Sequence, residues 1–492
     1  MKNRTMNSYF KSSGIVLLFI TAFLSCKTSN KLTSQEKLCR ANTISLNKIS
    51  PYYDGQWQGI TVASDGACYF GSASHGLYHG GGFFKFDPST KKLEVLAKDL
   101  TKLVGDDVSK NTPQGKVHSP IIEHNGNLFL ATHLAAYWDE VLDKYAGSYF
   151  LSYNLANKKW TNYGITKPGF STYSAIEVDK KRNKAYLMAV PFAPKDKAEG
   201  QHLYQIDLIT REKKDLGKLD DGKAAFYFYL DDKGKVWITK WKGKGNLYCY
   251  DPEKDSIITY ENAFPEPKLF PNGAPANDPK IKGASWTWAQ PIDDGKRCLF
   301  TMGDYGGGDE RLWIFDPQKD ISSKAAFTPV AYIGNTFLSV ALGGTRVYFI
   351  QRGDNTSSRH YDTEGKRDVP ADKNGFHVNN LHLRSVALDK NDKNPFIDHG
   401  KLIDQDGRTP AYIGSLAADN KGNVFMSGGW LTKPGDESTL MFLFKDSKGK
   451  IYAPLEHPGQ QSNNESGSSL SQYQKLKRGE FFSWVNVNKD LK

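Results

Sequence analysis

One strand-rich unit recurs along almost the whole of this 492-residue chain. Each copy begins with an apolar strand, turns at Asp-Gly, Asn-Gly or an equivalent pair, and continues into a second strand rich in Val, Tyr and Phe. Because one such unit cannot bury both faces of its sheet, the copies must stack on one another. Seven copies of this hairpin occur, at Ile60–Phe70, Ser119–Leu130, Ser174–Met188, Phe228–Thr239, Gln290–Met302, Leu338–Gln351 and Ser415–Ser427.

A third strand follows each hairpin and ends in an aromatic or aliphatic residue next to Asp or Asn. The clear examples are Phe86-Asp87, Tyr153-Asn154, Ile206-Asp207, Tyr250-Asp251 and Phe315-Asp316, and the weaker ones are Leu388-Asp389 and Phe444-Lys445-Asp446. These markers recur every 44 to 73 residues, which predicts an all-β fold: a seven-bladed β-propeller with about four strands per blade, forming a single domain over residues 40–490. Six or eight blades are the alternatives, because the segments around 36–55 and 476–489 offer a closing strand.

The N-terminus has the features of an export signal. Lys2 and Arg4 precede an apolar run over residues 14–24 that is too short to span a bilayer as a stable helix. Ser25 and Cys26 follow, and a small residue before a lone cysteine resembles a bacterial lipoprotein signal. We therefore expect residues 1–25 to be a signal peptide, Cys26 to be lipidated, and the protein to be exported and held to a membrane by its lipid anchor. This places it at the cell surface, the outer membrane or the periplasm, and cleavage without lipidation is the alternative.

Charge and cysteine content narrow the set of partners. Lys and Arg exceed Asp and Glu by 65 to 54, and the excess is dispersed lysine without a basic arm. Nucleic acid is therefore a poor partner for this exported chain, whereas an anionic polymer fits, although solubility explains the charge equally well. No cofactor is indicated by the four cysteines Cys39, Cys68, Cys249 and Cys298, which are far apart. Cys68, Cys249 and Cys298 lie in apolar strand patterns and match small core hydrophobes, and a structural metal held by one cysteine with histidines stays open.

Superposing the repeats predicts which side chains converge at one mouth of the propeller. In the second copy, His118 lies ten residues before Leu128, and His133 lies five residues after it. Chemically active residues at comparable positions of several blades indicate a functional site. Carrying these offsets to the other copies, with shifts of one or two residues, adds Tyr173, His75, Arg352, Trp286, Tyr305 and Lys242.

The residue types favour one chemistry. The chain has no serine elbow, HExxH motif or phosphate loop, and no acidic pair at the mouth positions, which argues against hydrolysis of glycosides by two carboxylates. Histidine and tyrosine move protons near neutral pH, and a cation holds a substrate carboxylate. This set matches β-elimination on a uronic acid, in which a base removes the C5 proton and an acid protonates the oxygen that leaves C4. The neighbouring carboxylate must be neutralised, because negative charge develops there. Indole rings at the rim suit stacking on sugar faces.

The sequence resembles the propeller-type ulvan lyases of polysaccharide lyase families 24 and 25. The resemblance covers most of the mature chain and is carried by Val117-His118-Ser119-Pro120, Ala131-Thr132-His133, Asp398-His399-Gly400, Asp404-Gln405-Asp406-Gly407-Arg408, Ser415-Leu416-Ala417-Ala418-Asp419 and Gly428-Gly429-Trp430. It implies that two histidines, a tyrosine and an arginine act on sulfated rhamnose–uronate polymers. It also implies that His118 and His133 are the paired histidines and Tyr173 the acid/base tyrosine.

The arginine of that family has no match here, since only Lys195 and Lys197 are basic between Leu187 and His202. Arg352, His75 and Lys242 are the candidates for its place.

Three functional interpretations stay open. The first is a carbon–oxygen lyase on uronate residues of ulvan, acting either as an endo-lyase on the polymer or as a dehydratase that removes water from a terminal uronate of an oligosaccharide. The second is a non-enzymatic surface lipoprotein that binds glycans, because a propeller does not dictate its function. The third is a propeller that binds other proteins. The partner expected for the first two is a sulfated, uronate-containing poly- or oligosaccharide.

Overall fold

The computed structural model describes residues 37–137, 139–219, 225, 227–240, 245–265, 285–303, 310–334, 339–352, 381–389, 391–410, 412–431, 444–445, 451–452 and 478–488. Helix is scarce in these ranges. It comprises α1 (Leu100–Leu103), α2 (Asp139–Leu142) and the 3₁₀ turns Pro194–Asp196 and Asp293–Gly295. No helix within the ranges has the length and apolar character needed to cross a membrane.

Within the described ranges, the strands form five separate sheets, a large closing sheet and one small ribbon. The chain begins with β1 (Leu38–Ser45). Blade 1 contains β2 (Ile60–Val62), β3 (Cys68–Ser72), β4 (Gly82–Asp87) and β5 (Lys92–Ala97). Blade 2 contains β6 (Gln114–Val117), β7 (Ile122–His124), β8 (Asn127–Leu134), β9 (Tyr149–Asn154) and β10 (Trp160–Ile165). Blade 3 contains β11 (Phe170–Ser171), β12 (Ile176–Asp179), β13 (Lys184–Pro191), β14 (Gln201–Asp207) and β15 (Lys213–Leu219).

The remaining strands follow the same plan. Blade 4 contains β16 (Phe228–Leu230), β17 (Val236–Thr239), β18 (Leu247–Asp251) and β19 (Ser256–Tyr260). Blade 5 contains β20 (Ser285–Ile292), β21 (Arg297–Gly303), β22 (Glu310–Phe315) and β23 (Phe327–Gly334). The closing sheet joins β1 to β24 (Val340–Gly343), β25 (Arg346–Arg352), β26 (Leu381–Ala387), β27 (Phe396–Asp404), β28 (Ser415–Ala418), β29 (Asn423–Leu431) and β32 (Arg478–Asn486). The ribbon pairs β30 (Phe444–Lys445) with β31 (Ile451–Tyr452).

The first strands of successive sheets lie side by side around a common centre. β7 contacts β12, β12 contacts β16, and β16 contacts β20, while β24 contacts β28 and β28 contacts β2. Antiparallel strands run outward from each of these inner strands. The fold is therefore an all-β propeller, in which the start of the chain meets its end through β28 and β2.

Strand β1 holds the closing sheet together. Its first half pairs in parallel with β27, from Leu38 opposite Lys401, and its second half pairs antiparallel with β32, from Asn42 opposite Trp484. A strand from the N-terminus thus lies between two strands that come from near the C-terminus. This pairing covers sheet edges that would otherwise expose unpaired backbone groups.

The repeat motif has a local physical cause. Asn125 and Gly126 both have positive φ, at 49° and 68°, as the two-residue turn between β7 and β8 requires. At the third-strand ends, the carboxylate of Asp87 accepts hydrogen bonds from Ser89 N at 2.8 Å and Thr90 N at 3.4 Å, and that of Asp207 accepts from Ile209 N at 2.8 Å. The recurring Asp is therefore the residue that closes the turn into the fourth strand.

Each of the seven predicted hairpins is an antiparallel strand pair. The weak third-strand assignment at Phe444 is wrong, because that residue belongs to β30 in the ribbon, and the strand that pairs with β29 is β32. β29 pairs with the distant strand β32 because the two strands stay in register over nine residues. The prediction that Cys68, Cys249 and Cys298 are core hydrophobes is confirmed, since all three are buried free thiols, and Cys39 is buried as well.

Candidate functional site

The site forms where the first strands of neighbouring blades are interrupted. In blade 2, β6 and β7 both pair with β8, and the chain leaves the sheet between them. In blade 3, β11 and β12 do the same against β13. Pro120 has no backbone N–H to donate, which favours such a break, and the Ser119 hydroxyl fills it by accepting from Ala131 N at 3.0 Å. These interruptions hold His118 and Tyr173 at the same place in consecutive blades.

Isolated bridges mark the same interruption elsewhere. Gly55 pairs with Ala73 before β2 begins, and Pro410 pairs with Trp430 before β28 begins. The residues after those bridges therefore face the same end of the propeller, which we call the mouth.

His118, His133 and Tyr173 form one ring cluster at the mouth. The His118 ring lies 4.8 Å from the Tyr173 ring and 5.6 Å from the His133 ring, measured between centroids, and His133 lies 5.2 Å from Tyr173. His118 stacks on the tyrosine with an interplanar angle of 28°, whereas His133 meets both rings edge-on. His118 and Tyr173 are each 6% exposed and His133 is fully buried.

The hydrogen bonds of His118 fix its tautomer. Its Nδ1 lies 2.7 Å from Gln58 Oε1 and 3.2 Å from the Ser174 hydroxyl. Because the amide oxygen only accepts, Nδ1 carries the proton, and the lone pair of neutral His118 lies on Nε2.

Gln58 has a strained backbone. Its φ of 62° falls in the left-handed region that non-glycine residues seldom occupy, and the side chain is buried. Such strain is concentrated at functional sites, where the surrounding structure enforces it. The strain at Gln58 places its amide between two blades.

A lysine lies beside the ring cluster. Lys116 sits opposite His133 in the β6–β8 pairing and is 2% exposed. Its Nζ lies 2.9 Å from His75 Nε2 and 3.1 Å from the Tyr137 hydroxyl, and it faces the rings of Tyr137 at 4.6 Å and Trp57 at 5.7 Å. Burial lowers the pKa of Lys116 from 10.5 to about 7, against a smaller opposing effect of a nearby aspartate.

That aspartate is Asp54, and it contacts the lysine through His75. Asp54 Oδ1 lies 2.7 Å from His75 Nδ1, and Oδ2 accepts from the His75 backbone N–H at 3.2 Å. The carboxylate therefore holds the proton on Nδ1, which leaves Nε2 to accept from Lys116. Asp54, His75 and Lys116 form a relay from one blade to the next.

His133 continues this relay into blade 3. Its Nε2 lies 2.6 Å from the Tyr137 hydroxyl and its Nδ1 lies 2.5 Å from the Ser171 hydroxyl. Tyr137 thus bridges the lysine and the imidazole, and it is the half-buried member of the series. Beyond Ser171 the hydrogen bonds run on through Ser148, Tyr145 and Gln114.

Parallel rings line the mouth on the other side. Trp57 is stacked with His118, at a centroid distance of 6.3 Å and an angle of 11°, and with Tyr412, at 6.1 Å and 14°. Tyr412 donates its hydroxyl proton to the buried Glu480 carboxylate at 2.8 Å. Trp57 and Tyr412 are both partly exposed, so their faces are available to a planar or sugar-like ligand.

The structure thus brings together four of the residues that sequence reasoning singled out: His118, His133, Tyr173 and His75. Trp286 is placed elsewhere. It is fully buried and packs against Tyr229, Phe300 and Phe315, with centroid distances of 5.4 to 6.4 Å. An indole in that position contributes to the core of blades 4 and 5, so its predicted stacking on a sugar is not carried forward.

Other predicted residues lie outside the described part. Arg352 is the last residue of β25, and its side chain is not described. Tyr305, Lys242 and Cys26 fall outside the described ranges altogether. Their predicted roles stay predictions.

Sequence reasoning missed Lys116, Tyr137, Gln58, Asp54 and Trp57. Lys116 had a usable signal, because a lysine stands two residues before His118 on the same predicted inner strand. Gln58 is followed by Gly59, a position where a β-carbon would come within 2.5 Å of Val117 O. That glycine marked a close approach of two backbones.

The arrangement offers proton transfer and anion binding. Three imidazoles, those of His75, His118 and His133, lie with several phenols in a largely dry site that also holds one amine whose pKa falls near neutrality. Within the described residues, no group of three or more His, Cys, Asp or Glu side chains is placed to hold a metal ion. The imidazoles, phenols and amine of the site can supply acid/base chemistry on a substrate that carries negative charge.

No family model matches the chain, and no curated protein matches it. Solved structures with a similar course include a streptogramin B lyase, with 10% identity and a TM-score of 0.45 over 78% of this chain and 93% of that one. An inactive variant of virginiamycin B lyase from Staphylococcus aureus has 9% identity and a TM-score of 0.44, over 79% of this chain and 95% of that one. TolB from Acinetobacter baumannii has 11% identity and a TM-score of 0.35, over 62% and 57%. Likeness at these scores carries no argument about function.

Proposed function

We propose that this protein is a carbon–oxygen lyase that performs β-elimination across C4 and C5 of uronic acid residues in ulvan or ulvan oligosaccharides. The observation that supports it best is the ring cluster of His118, His133 and Tyr173. Its members come from two blades, lie within 5.6 Å of one another, and are tied to a buried lysine by hydrogen bonds. Elimination needs a base, an acid and a cation, and the ring cluster offers candidates for the base and the acid, with Lys116 beside it as the candidate cation.

The proposed roles follow from the hydrogen bonds. His118, with its lone pair on Nε2, takes the C5 proton of the uronate. The C–H electron pair forms the C4–C5 double bond, and the C4–O bond breaks with its pair on oxygen. The ring of Tyr173 stacks on His118, and its hydroxyl protonates that oxygen. His133 is fully buried and acts through Tyr137 as a positioning residue.

Seven blades are part of the proposal. The eight-stranded closing sheet divides into two units of four strands at the parallel contact between β1 and β27. One unit is β24 to β27, and the other is β28, β29, β32 and β1. With blades 1 to 5 this gives seven. We further propose export of the protein and a lipid anchor on Cys26, which would place the site where an external polysaccharide reaches it.

Product formation tests the proposal directly. The purified protein is incubated with ulvan and, separately, with short ulvan oligosaccharides, while ultraviolet absorbance reports the unsaturated uronate and mass spectrometry weighs the products. Rising absorbance with shrinking polymer identifies an endo-lyase. Rising absorbance with loss of one water from short oligomers identifies a dehydratase.

Folded protein that gives neither signal would end the lyase proposal. If it still binds the polysaccharide, the non-enzymatic glycan-binding interpretation takes its place.

A further inference from the structure

The proposed reaction needs a cation for the substrate carboxylate, and the ring cluster is bordered by one. Lys116 is paired directly opposite His133 and lies two residues before His118 along the chain. Its Nζ lies 5.7 Å from the Trp57 ring, and the His118 ring lies 6.3 Å from the same indole, so the ammonium group borders the proposed base.

The immediate partners of Lys116 leave its charge without a directly bound carboxylate. Its ammonium has three N–H donors, and its described hydrogen-bond acceptors are His75 Nε2 and the Tyr137 hydroxyl. Asp54 is hydrogen-bonded to Nδ1 of His75, so the imidazole ring lies between this carboxylate and the lysine. A buried cation held only by neutral acceptors gains strongly from an anion brought to it, because the surroundings screen little.

The path to this cation runs past Tyr137 and Trp57. Both rings flank the ammonium, and both are partly exposed at the mouth, whereas Lys116 itself is 2% exposed. An anion that reaches the Tyr137 hydroxyl would come close to the lysine, because that hydroxyl lies 3.1 Å from Nζ.

We infer that Lys116 binds the substrate carboxylate, with Asp54 and His75 holding the amine in place behind it. The inference rests on the proposed function, since it gives that reaction the cation for which no arginine was matched. As the C5 proton leaves, the charge that develops on the carboxylate is stabilised by this ammonium.

Proton linkage makes the inference measurable. Since burial lowers the pKa of Lys116 to about 7, the amine is mostly neutral at pH 8 and must take up a proton to bind an anion. The groups that face it are Asp54, His75, Tyr137 and, through Tyr137, His133. Proton uptake by histidine must therefore be separated from uptake by the lysine.

The experiment is calorimetric titration of the full chain with glucuronate, in buffers of different ionisation enthalpy, between about pH 6 and pH 8.5. For the wild type we expect uptake that approaches one proton near pH 8 and falls towards zero near pH 6. Glucose, which lacks the carboxylate, should give no uptake.

Two variants separate the sources of the proton. Lys116→Met should bind glucuronate roughly tenfold to a hundredfold more weakly, without uptake at pH 8. Lys116→Arg keeps a permanent charge and should bind near wild-type affinity, again without uptake. Circular dichroism establishes that each variant is folded, and the wild-type pH series stands alone if Lys116→Met does not fold.

Several results would overturn the inference: no glucuronate binding by the folded wild type, binding without proton uptake at pH 8, or uptake that persists in Lys116→Arg and so comes from histidine. Failure of the proposed function looks different. In that case uptake depends on Lys116, but no unsaturated uronate forms from ulvan or its oligosaccharides.

Discussion

The mouth of blades 1 to 3 and the core of blades 4 and 5 use equivalent backbone positions in opposite ways. His118 occupies the interruption of the first strand in blade 2, and Trp286 occupies the irregularity of the first strand in blade 5. Both side chains are almost completely buried. Both residues contact aromatic rings, but His118 also has an amide and a hydroxyl within hydrogen-bonding distance and another imidazole against its ring. The degree of burial is therefore nearly the same for His118 and Trp286, and only the polarity of their contacting groups distinguishes the two positions.

The difference has an energetic meaning. A tryptophan in an aromatic core stabilises the fold through its apolar area, while buried imidazoles and a buried amine must be compensated by hydrogen bonds. In the mouth, Lys116, His75 and His133 receive that compensation from one another. Polar and titratable groups stand here where another blade has a tryptophan. Such a departure from ordinary core packing is expected at functional sites.

The largest effect, a loss of turnover with little change in stability, is expected from His118→Asn. Asparagine can still donate to Gln58 but cannot accept a C5 proton, so turnover of the uronate substrate should fall about 10²- to 10⁴-fold. Stability should change little, because the shape and the donor are kept. Initial rates of absorbance increase, with urea unfolding in parallel, measure both quantities. Near wild-type turnover in this variant would remove His118 from the proposed mechanism.

Trp286→Ala should show the reverse pattern. Removing a fully buried indole from its contacts with Phe300 and Phe315 should lower the free energy of unfolding by about 3–5 kcal/mol. Turnover per folded molecule should stay near the wild-type value. The same rate assay and urea titration apply, with Trp286→Phe as the milder control. A stable variant with lost turnover would restore the sugar-binding role predicted for this tryptophan.

The local parts of the fold were predictable from sequence. All seven hairpins follow from strand alternation and turn residues that lie within about fifteen positions of each other. Phe444 was misassigned because the true partner of β29 is β32, which lies far along the chain. The segment around 476–489 was predicted only as an alternative closing strand, without a pairing partner. The parallel pairing of β1 with β27 could not be predicted either, because pairing across more than 360 residues depends on closure of the ring.

Site residues could be predicted from sequence only where they occupy positions within the repeated hairpin. His118, His133 and Tyr173 lie at comparable offsets from their turns, so superposing the copies brought them together. Tyr137 lies three residues past β8, and Gln58 lies before β2 in a strained turn, where offsets no longer hold. Residues outside the regular strands need the three-dimensional structure to be placed.

Substitution of Gln58 should have an intermediate effect on turnover at the mouth. Gln58→Leu removes the acceptor that keeps the proton on Nδ1 of His118, so the lone pair is no longer confined to Nε2. We expect kcat to fall about tenfold to a hundredfold with KM little changed, as for other orienting partners of functional histidines.

Gln58→Glu is the matched control, because a carboxylate keeps the acceptor and favours the imidazolium. The pH at which the rate rises should then shift upward. Unchanged pH profiles in both variants would mean that Gln58 has only a packing role.

The smallest effect expected is the pH dependence of stability at Lys116. In the folded protein burial lowers the pKa of this amine to about 7, whereas in the unfolded chain it keeps its ordinary value of 10.5. Between these values the unfolded chain holds one more proton, so raising the pH should stabilise the fold, by at most about 1.4 kcal/mol per pH unit. Urea unfolding at about pH 7.5 and 8.5 measures the slope. Lys116→Met should lose this contribution, while Trp286→Phe, in the apolar region, should keep the wild-type slope. Equal slopes in Lys116→Met and the wild type would show that the amine stays charged in the folded protein, and the contrast between the two regions would then rest on His118 and its partners alone.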